Sequence, residues 1–315
     1  MKLKNLFFTA ITLCVGFAAL SCGSDDDGDG VDTGNTNTVT LGDAKNAGGA
    51  VQFTLTTPLA AATGSTEAEL TNVYITDGGK ATFEVTDKKD GKKYYKTYDV
   101  TVKDGTYSIS GIGALSKTTL SAKTRAESKE HLTINVILNI AGFGQLTFRT
   151  DDPVGVIEKT NTLSGGTVLK YLARTWKVQS VTIDLDGDVK VFKTITGNNL
   201  ASVRDEAIRQ GVSFTEEEKA AFNRVIDNID ISTTGIFTIN YTNGNSDAAD
   251  WRWIGNLYDQ FKINLKELGM GNKYLADDAT VKVEFKDKRC NLAFAVKITG
   301  NQKYDATFTL NLIAQ

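Results

Sequence analysis

The chain has 315 residues, with 35 Lys and Arg against 38 Asp and Glu, one histidine and three cysteines. Setting aside Lys2, Lys4, Asp25, Asp26, Asp27, Asp29 and Asp32 leaves 33 charges of each sign, so the remainder is neutral and has no electrostatic footprint for nucleic acid. The length exceeds one small domain and suits two.

The first element is a leader. Met1-Lys2-Leu3-Lys4 is basic, and an apolar run of fifteen residues follows from Leu6 to Leu20. That run is short for a membrane-spanning helix, which needs about twenty residues. Its small residues at the end predict a signal peptide over 1–21, outside any folded domain. Ala19-Leu20-Ser21-Cys22 resembles the lipobox of bacterial lipoproteins, with Ala19 where the family usually has Leu. The resemblance implies cleavage before Cys22 and a lipid on that cysteine. Gly23-Ser24-Asp25-Asp26-Asp27-Gly28-Asp29-Gly30 is similar to the acidic tether of Bacteroidetes-type surface lipoproteins. It implies display on the outer face of the outer membrane. With Cys14 in the leader and Cys22 acylated, Cys290 has no partner for an intramolecular disulfide, so stability must come from hydrophobic cores.

Residues 22–46 are rich in Gly, Asp, Asn and Thr and lack aromatics, which predicts an unfolded linker. Beyond it, strands succeed one another to residue 152. Residues 70–76 and 80–86 flank Asp77-Gly78-Gly79, and 93–102 and 106–112 flank Lys103-Asp104-Gly105, both hairpin signals. Strands over 118–123, 131–140 and 145–150 complete about seven. Leu132, Ile134, Val136 and Leu138 alternate with polar residues, as in an antiparallel sheet with one buried face. A β-sandwich-like domain over 47–152 is the first expectation and a small barrel the second.

Turn formers over 153–167 predict an inter-domain linker. Eight strands follow, at 175–183, 189–196, 235–242, 250–254, 261–266, 280–286, 291–298 and 306–313. Eight antiparallel strands with short turns predict an up-and-down barrel of ligand-holding size. Leu172-x-x-x-Trp176-Lys177-Val178, a strand with Phe237 and Tyr241, and Trp251-x-Trp253 resemble the lipocalin-like domain of bacterial lipoproteins, over 168–315. The resemblance implies a cavity for a small apolar or amphipathic molecule. Residues 199–229 predict a helical hairpin inserted between the second and third strands. Thr215-Glu216-Glu217-Glu218 forms a capping box there, and Phe222, Val225, Ile226 and Ile229 an apolar stripe. That pair would pack on the barrel or act as a lid.

Motifs for chemistry are sparse. His131 has no nucleophile or metal partner nominated by spacing, and no Gly-x-Ser-x-Gly, phosphate-binding Gly loop or Cys/His metal pattern occurs. Asp184-Leu185-Asp186-Gly187-Asp188 has calcium-loop character but lacks the closing Glu, and a hairpin turn explains it. Trp251 and Trp253 share one strand face with Arg252 opposite. With Tyr241 they are the candidate ligand-binding residues, for an apolar molecule or a sugar ring. The reading is an all-β, non-enzymatic surface lipoprotein without metal or cofactor, joined to the membrane through Cys22. It would bind a small apolar molecule, or a glycan in a nutrient uptake system, or serve as a structural or interaction module.

Overall fold

The computed structural model describes residues 39–119, 130–160, 163–186, 191–196, 201, 205, 216, 223–265, 267–268, 277–299 and 303–315. The fold is nearly all β and contains a closed eight-strand antiparallel barrel with further strands outside the ring.

The N-terminal unit is built from β1 (Val51–Ala60), β2 (Ala68–Ile75), β3 (Lys80–Asp87), β4 (Lys93–Lys103), β5 (Thr106–Ile109), β6 (Gly113–Thr119), β7 (Glu130–Ile140), β8 (Gly144–Arg149) and β9 (Val154–Lys159). Two sheets share strands at their corners, a sandwich-like arrangement. Residues 93–99 of β4 pair with β3, and Val100 to Lys103 pair with β5 in the second sheet. Likewise β9 pairs with β1 through Val156 to Lys159 and with β7 through Val154 and Gly155. Residues 154–159, expected in the linker, therefore tie the two sheets together. Pro153 just precedes this strand, where its missing N–H costs no ladder bond. Alternation works as expected in β7: Leu132, Ile134, Val136 and Leu138 enter the core with Phe53, Phe83 and Phe148, while Asn135 and Asn139 face out.

The C-terminal unit begins with α1 (Gly166–Leu172) and continues with β10 (Thr175–Asp186), β11 (Val191–Thr196), β12 (Ile226–Ile231), β13 (Ile236–Tyr241), β14 (Asn245–Trp253), β15 (Gln260–Asn264), β16 (Asp278–Lys286), β17 (Arg289–Thr299) and β18 (Lys303–Ala314). The ring runs β10, β12, β13, β14, β15, β16, β17, β18 and back to β10. The expected count of eight holds, but the membership differs. Strand β11 pairs with β10 from Ser180 to Leu185 and lies outside the ring, while β12, paired at Thr175 and Trp176, closes it.

Strand β12 corrects the end of the expected helical hairpin, over residues 226–229. Its register slips between Ile226 and Asn228, a bulge at Asp227. The extra residue puts Ile226 and Ile229 on the same inward face three positions apart, which imitates helical spacing in a strand. Of the remainder, Ala201, Asp205 and Glu216 are helical, residues 223–225 run from a turn into β12, and the other positions lie outside the described residues, as does the Asp186–Asp188 turn beyond Asp186.

The two units share a face. Asn245 and Ser246 of β14 pair with Lys96 and Tyr95 of β4, so one sheet runs through both. Consequently β3 and β13 are buried on both faces, and Tyr74, Ile236 and Ala248 form a small apolar cluster between the units with Tyr95 against it.

Candidate functional site

The candidate tryptophans point into the second ring. Trp251 is buried at 3% exposure, and Trp253 is half-buried against the same core. Their rings meet edge to face at 5.1 Å, and Phe261 lies 5.0 Å from Trp251 and 6.2 Å from Trp253. Phe237, Phe294, Trp176, Leu292 and Leu310 fill the neighbouring interior. The α1 helix closes this end of the ring: Trp176 Nε1 donates to the Leu172 carbonyl at 2.9 Å, and Leu169 and Leu172 join the core. Gly165 lies so close to Trp253 that an added Cβ would stand 3.1 Å from Nε1. The indole nitrogens of Trp251 and Trp253 are both buried without an acceptor. Buried donors of this kind normally find a partner.

Tyr241 does not join them. It lies at the far end of β13, opposite Ile226. Its hydroxyl donates to Asp247 Oδ2 at 2.7 Å, and the Arg224 guanidinium sits 5.3 Å over its ring while binding Asp247 at 3.1 Å. Burial pushes both the Tyr241 hydroxyl and the Asp247 carboxyl above their ordinary ranges. The trio satisfies its own polar groups.

Arg252 faces outward, as its position opposite the tryptophans requires. It lines a groove of about 370 Å³ with Asp250, Lys262, Asn264, Glu267 and Lys159. The groove lies where β14 passes its free edge from β15 to β4, since Trp251 pairs with Ile263 but Ser246 with Tyr95. Charges of both signs line it, suiting a polar or zwitterionic group over an apolar one.

Between the units lies a buried polar seam that sequence patterning missed. Asp77, at the β2–β3 turn, accepts the Thr233 N–H at 2.7 Å and the hydroxyls of Ser232 and Thr233 at 3.2 Å each. Asp230 on β12 is fully buried and accepts the Thr175 hydroxyl at 2.6 Å, while its Oδ2 has no partner. Thr238, its register partner on β13, also has an unpartnered hydroxyl. Burial raises the Asp230 carboxyl to about 6. It raises Asp77 too, against the opposing hydrogen bonds from Thr233 and Ser232. Glu84 nearby behaves differently. Burial would raise it, but Lys93 and donors from Thr71, Asn72 and Tyr74 outweigh that and hold it below the usual range. Asp230 and Asn228 alternate with isoleucines, so in sequence they read as solvent-facing.

The remaining candidates are placed plainly. His131 sits at the start of β7, paired with Gly155 of β9. Cys290 is buried, and burial pushes its thiol well up, away from reactivity. Among the described residues no group of three or more His, Cys, Asp or Glu converges as a metal site would.

No protein-family model and no curated protein matches the chain. A solved structure from Bacteroides fragilis NCTC 9343, named as a putative outer membrane protein, aligns over 82% of this chain and 96% of its own. The two are 13% identical with a TM-score of 0.24.

Proposed function

We propose that the protein is a non-enzymatic lipoprotein, anchored at the outer membrane through Cys22 and displayed on the cell surface as an interaction module. The observation that carries this reading is the second ring's interior, occupied at the Trp251 end by the protein's own aromatic and aliphatic side chains. A ligand-holding barrel needs empty apolar volume, whereas a filled one offers its outer surface. The seam supports the same reading, because two units joined through β4, β14 and Asp77 present their outer faces in a fixed relation. Inward tryptophans also leave no flat aromatic platform for a glycan at that position.

A second reading keeps a small apolar molecule with an acceptor group in the barrel. It is favoured by the Trp251 and Trp253 indole nitrogens, which lack acceptors. Intact-mass measurement under native conditions, on protein taken from membranes, separates the two. The module reading expects the mass of the acylated chain alone. A stoichiometric adduct, released on denaturation and absent from a Trp251→Phe/Trp253→Phe variant, would replace it with the ligand-binding reading.

A further inference from the structure

We propose that the α1 end of the second ring is the surface that meets the membrane, with Ile254 and Leu257 entering the leaflet that holds the lipid on Cys22. The proposal rests on the lipid-anchor reading and adds an orientation to it.

The loop between β14 and β15 is built to present these two side chains. Ile254 is 40% and Leu257 55% exposed, two of the five large hydrophobic residues exposed among the described residues. Gly255 and Tyr258 adopt left-handed backbone, with φ of 69° and 56°. The Ile254 N–H donates to the Gln260 carbonyl at 2.9 Å, and Tyr258 packs on Trp253 with ring centroids 5.7 Å apart. The loop is thus pinned at its base while its apolar tip faces outward. Ordering it again on insertion would cost little.

The chain from Cys22 arrives at the same end. Strand directions alternate round the ring, so the β14–β15 loop, the β16–β17 turn, α1 and the C-terminus all lie there. The Thr40 N–H donates to the Asp287 carbonyl in the β16–β17 turn at 3.2 Å, and Arg174 donates to the Gly42 carbonyl at 2.9 Å. Val39 and Leu41 pack against the core. Sixteen residues separate Cys22 from Val39; as the unfolded linker that their composition predicts, they would average about 20–24 Å end to end. A strand of 12 residues such as β18 is about 40 Å long, so the opposite end faces away from the lipid.

Charge points the same way. The exposed β16–β17 turn reads Lys286-Asp287-Lys288-Arg289, three basic residues to one acidic, beside the arriving tether. Basic groups flanking exposed aliphatic side chains match a bilayer surface, with phosphates above acyl chains.

The test uses the full acylated chain reconstituted into vesicles of phosphatidylethanolamine and phosphatidylglycerol carrying brominated acyl chains. A fluorophore is placed at Asn256→Cys in the loop or, as control, at Asn139→Cys on β7. Quenching at 256 and not at 139, reduced several-fold by adding Ile254→Ser and Leu257→Ser, is the expected result. No quenching at 256, or equal quenching at both sites, overturns the proposal. Added acyl mass on the Cys22 peptide is read separately, so failure of the anchor and failure of the docking are told apart.

Discussion

Asp230→Asn should flatten the dependence of stability on pH. Burial raises the Asp230 carboxyl to about 6 in the folded protein, from an ordinary value of 3.8. A raised folded value favours the protonated form, so its stabilising contribution is complete below about 3.8 and is lost as pH rises through 6. The full loss is about 3 kcal/mol at 1.36 kcal/mol per unit, of which about 1.4 kcal/mol falls between pH 5 and 8. Asp77 is shifted the same way and adds to the trend. Glu84, Asp43 and Asp99 are lowered, so their contributions are lost only at more acid pH and do not oppose it in this window. Asparagine keeps the acceptor for Thr175 without ever ionising. Urea unfolding at pH 5 and 8 should show wild type weakening by about 1.4 kcal/mol more than the variant. Equal pH slopes in the two would refute the assignment of a proton to the seam.

Cys22→Ala should release the protein from membranes, checked by fractionation and by loss of acyl mass on the N-terminal peptide. Gly78→Ala should cost about 1–3 kcal/mol, because the new Cβ would overlap Asp230 Oδ1 and Thr175 Oγ1 at 2.1 Å; thermal melting measures it. Trp251→Ala should lose about 3–5 kcal/mol as a buried aromatic, and half-exposed Trp253→Ala less. Residues 163–315 expressed alone should unfold cooperatively, since their ring closes without a strand from the other unit. They should melt below the full chain, because Thr233 and Asp230 lose the Asp77 turn.

Local sequence was enough to specify the class of the fold and many of its elements. The Asp77-Gly78-Gly79 turn, the alternation in β7 and the closing meander of β16, β17 and β18 are set by residues near one another in the chain. Period-two patterning cannot hide from inspection there, because one face meets a core and the other water. The tryptophans' shared face was equally legible, since residues two apart on a strand must point the same way.

Tertiary structure decided what such patterns leave open. The bulge at Asp227 turns strand spacing into apparent helical spacing, and only its pairing with β13 reveals which it is. Strand β12 completes the second ring by pairing with only Thr175 and Trp176 at the start of β10, leaving β11 outside. Alternation along a strand says nothing about that choice of partner. The seam is the sharpest case. Asp230 reads as solvent-facing because a strand's second face is ordinarily wet, and Asp77 because a hairpin turn ordinarily is. Their burial, and the proton it favours on Asp230, follows from the β2–β3 turn meeting β12 across more than a hundred residues of chain.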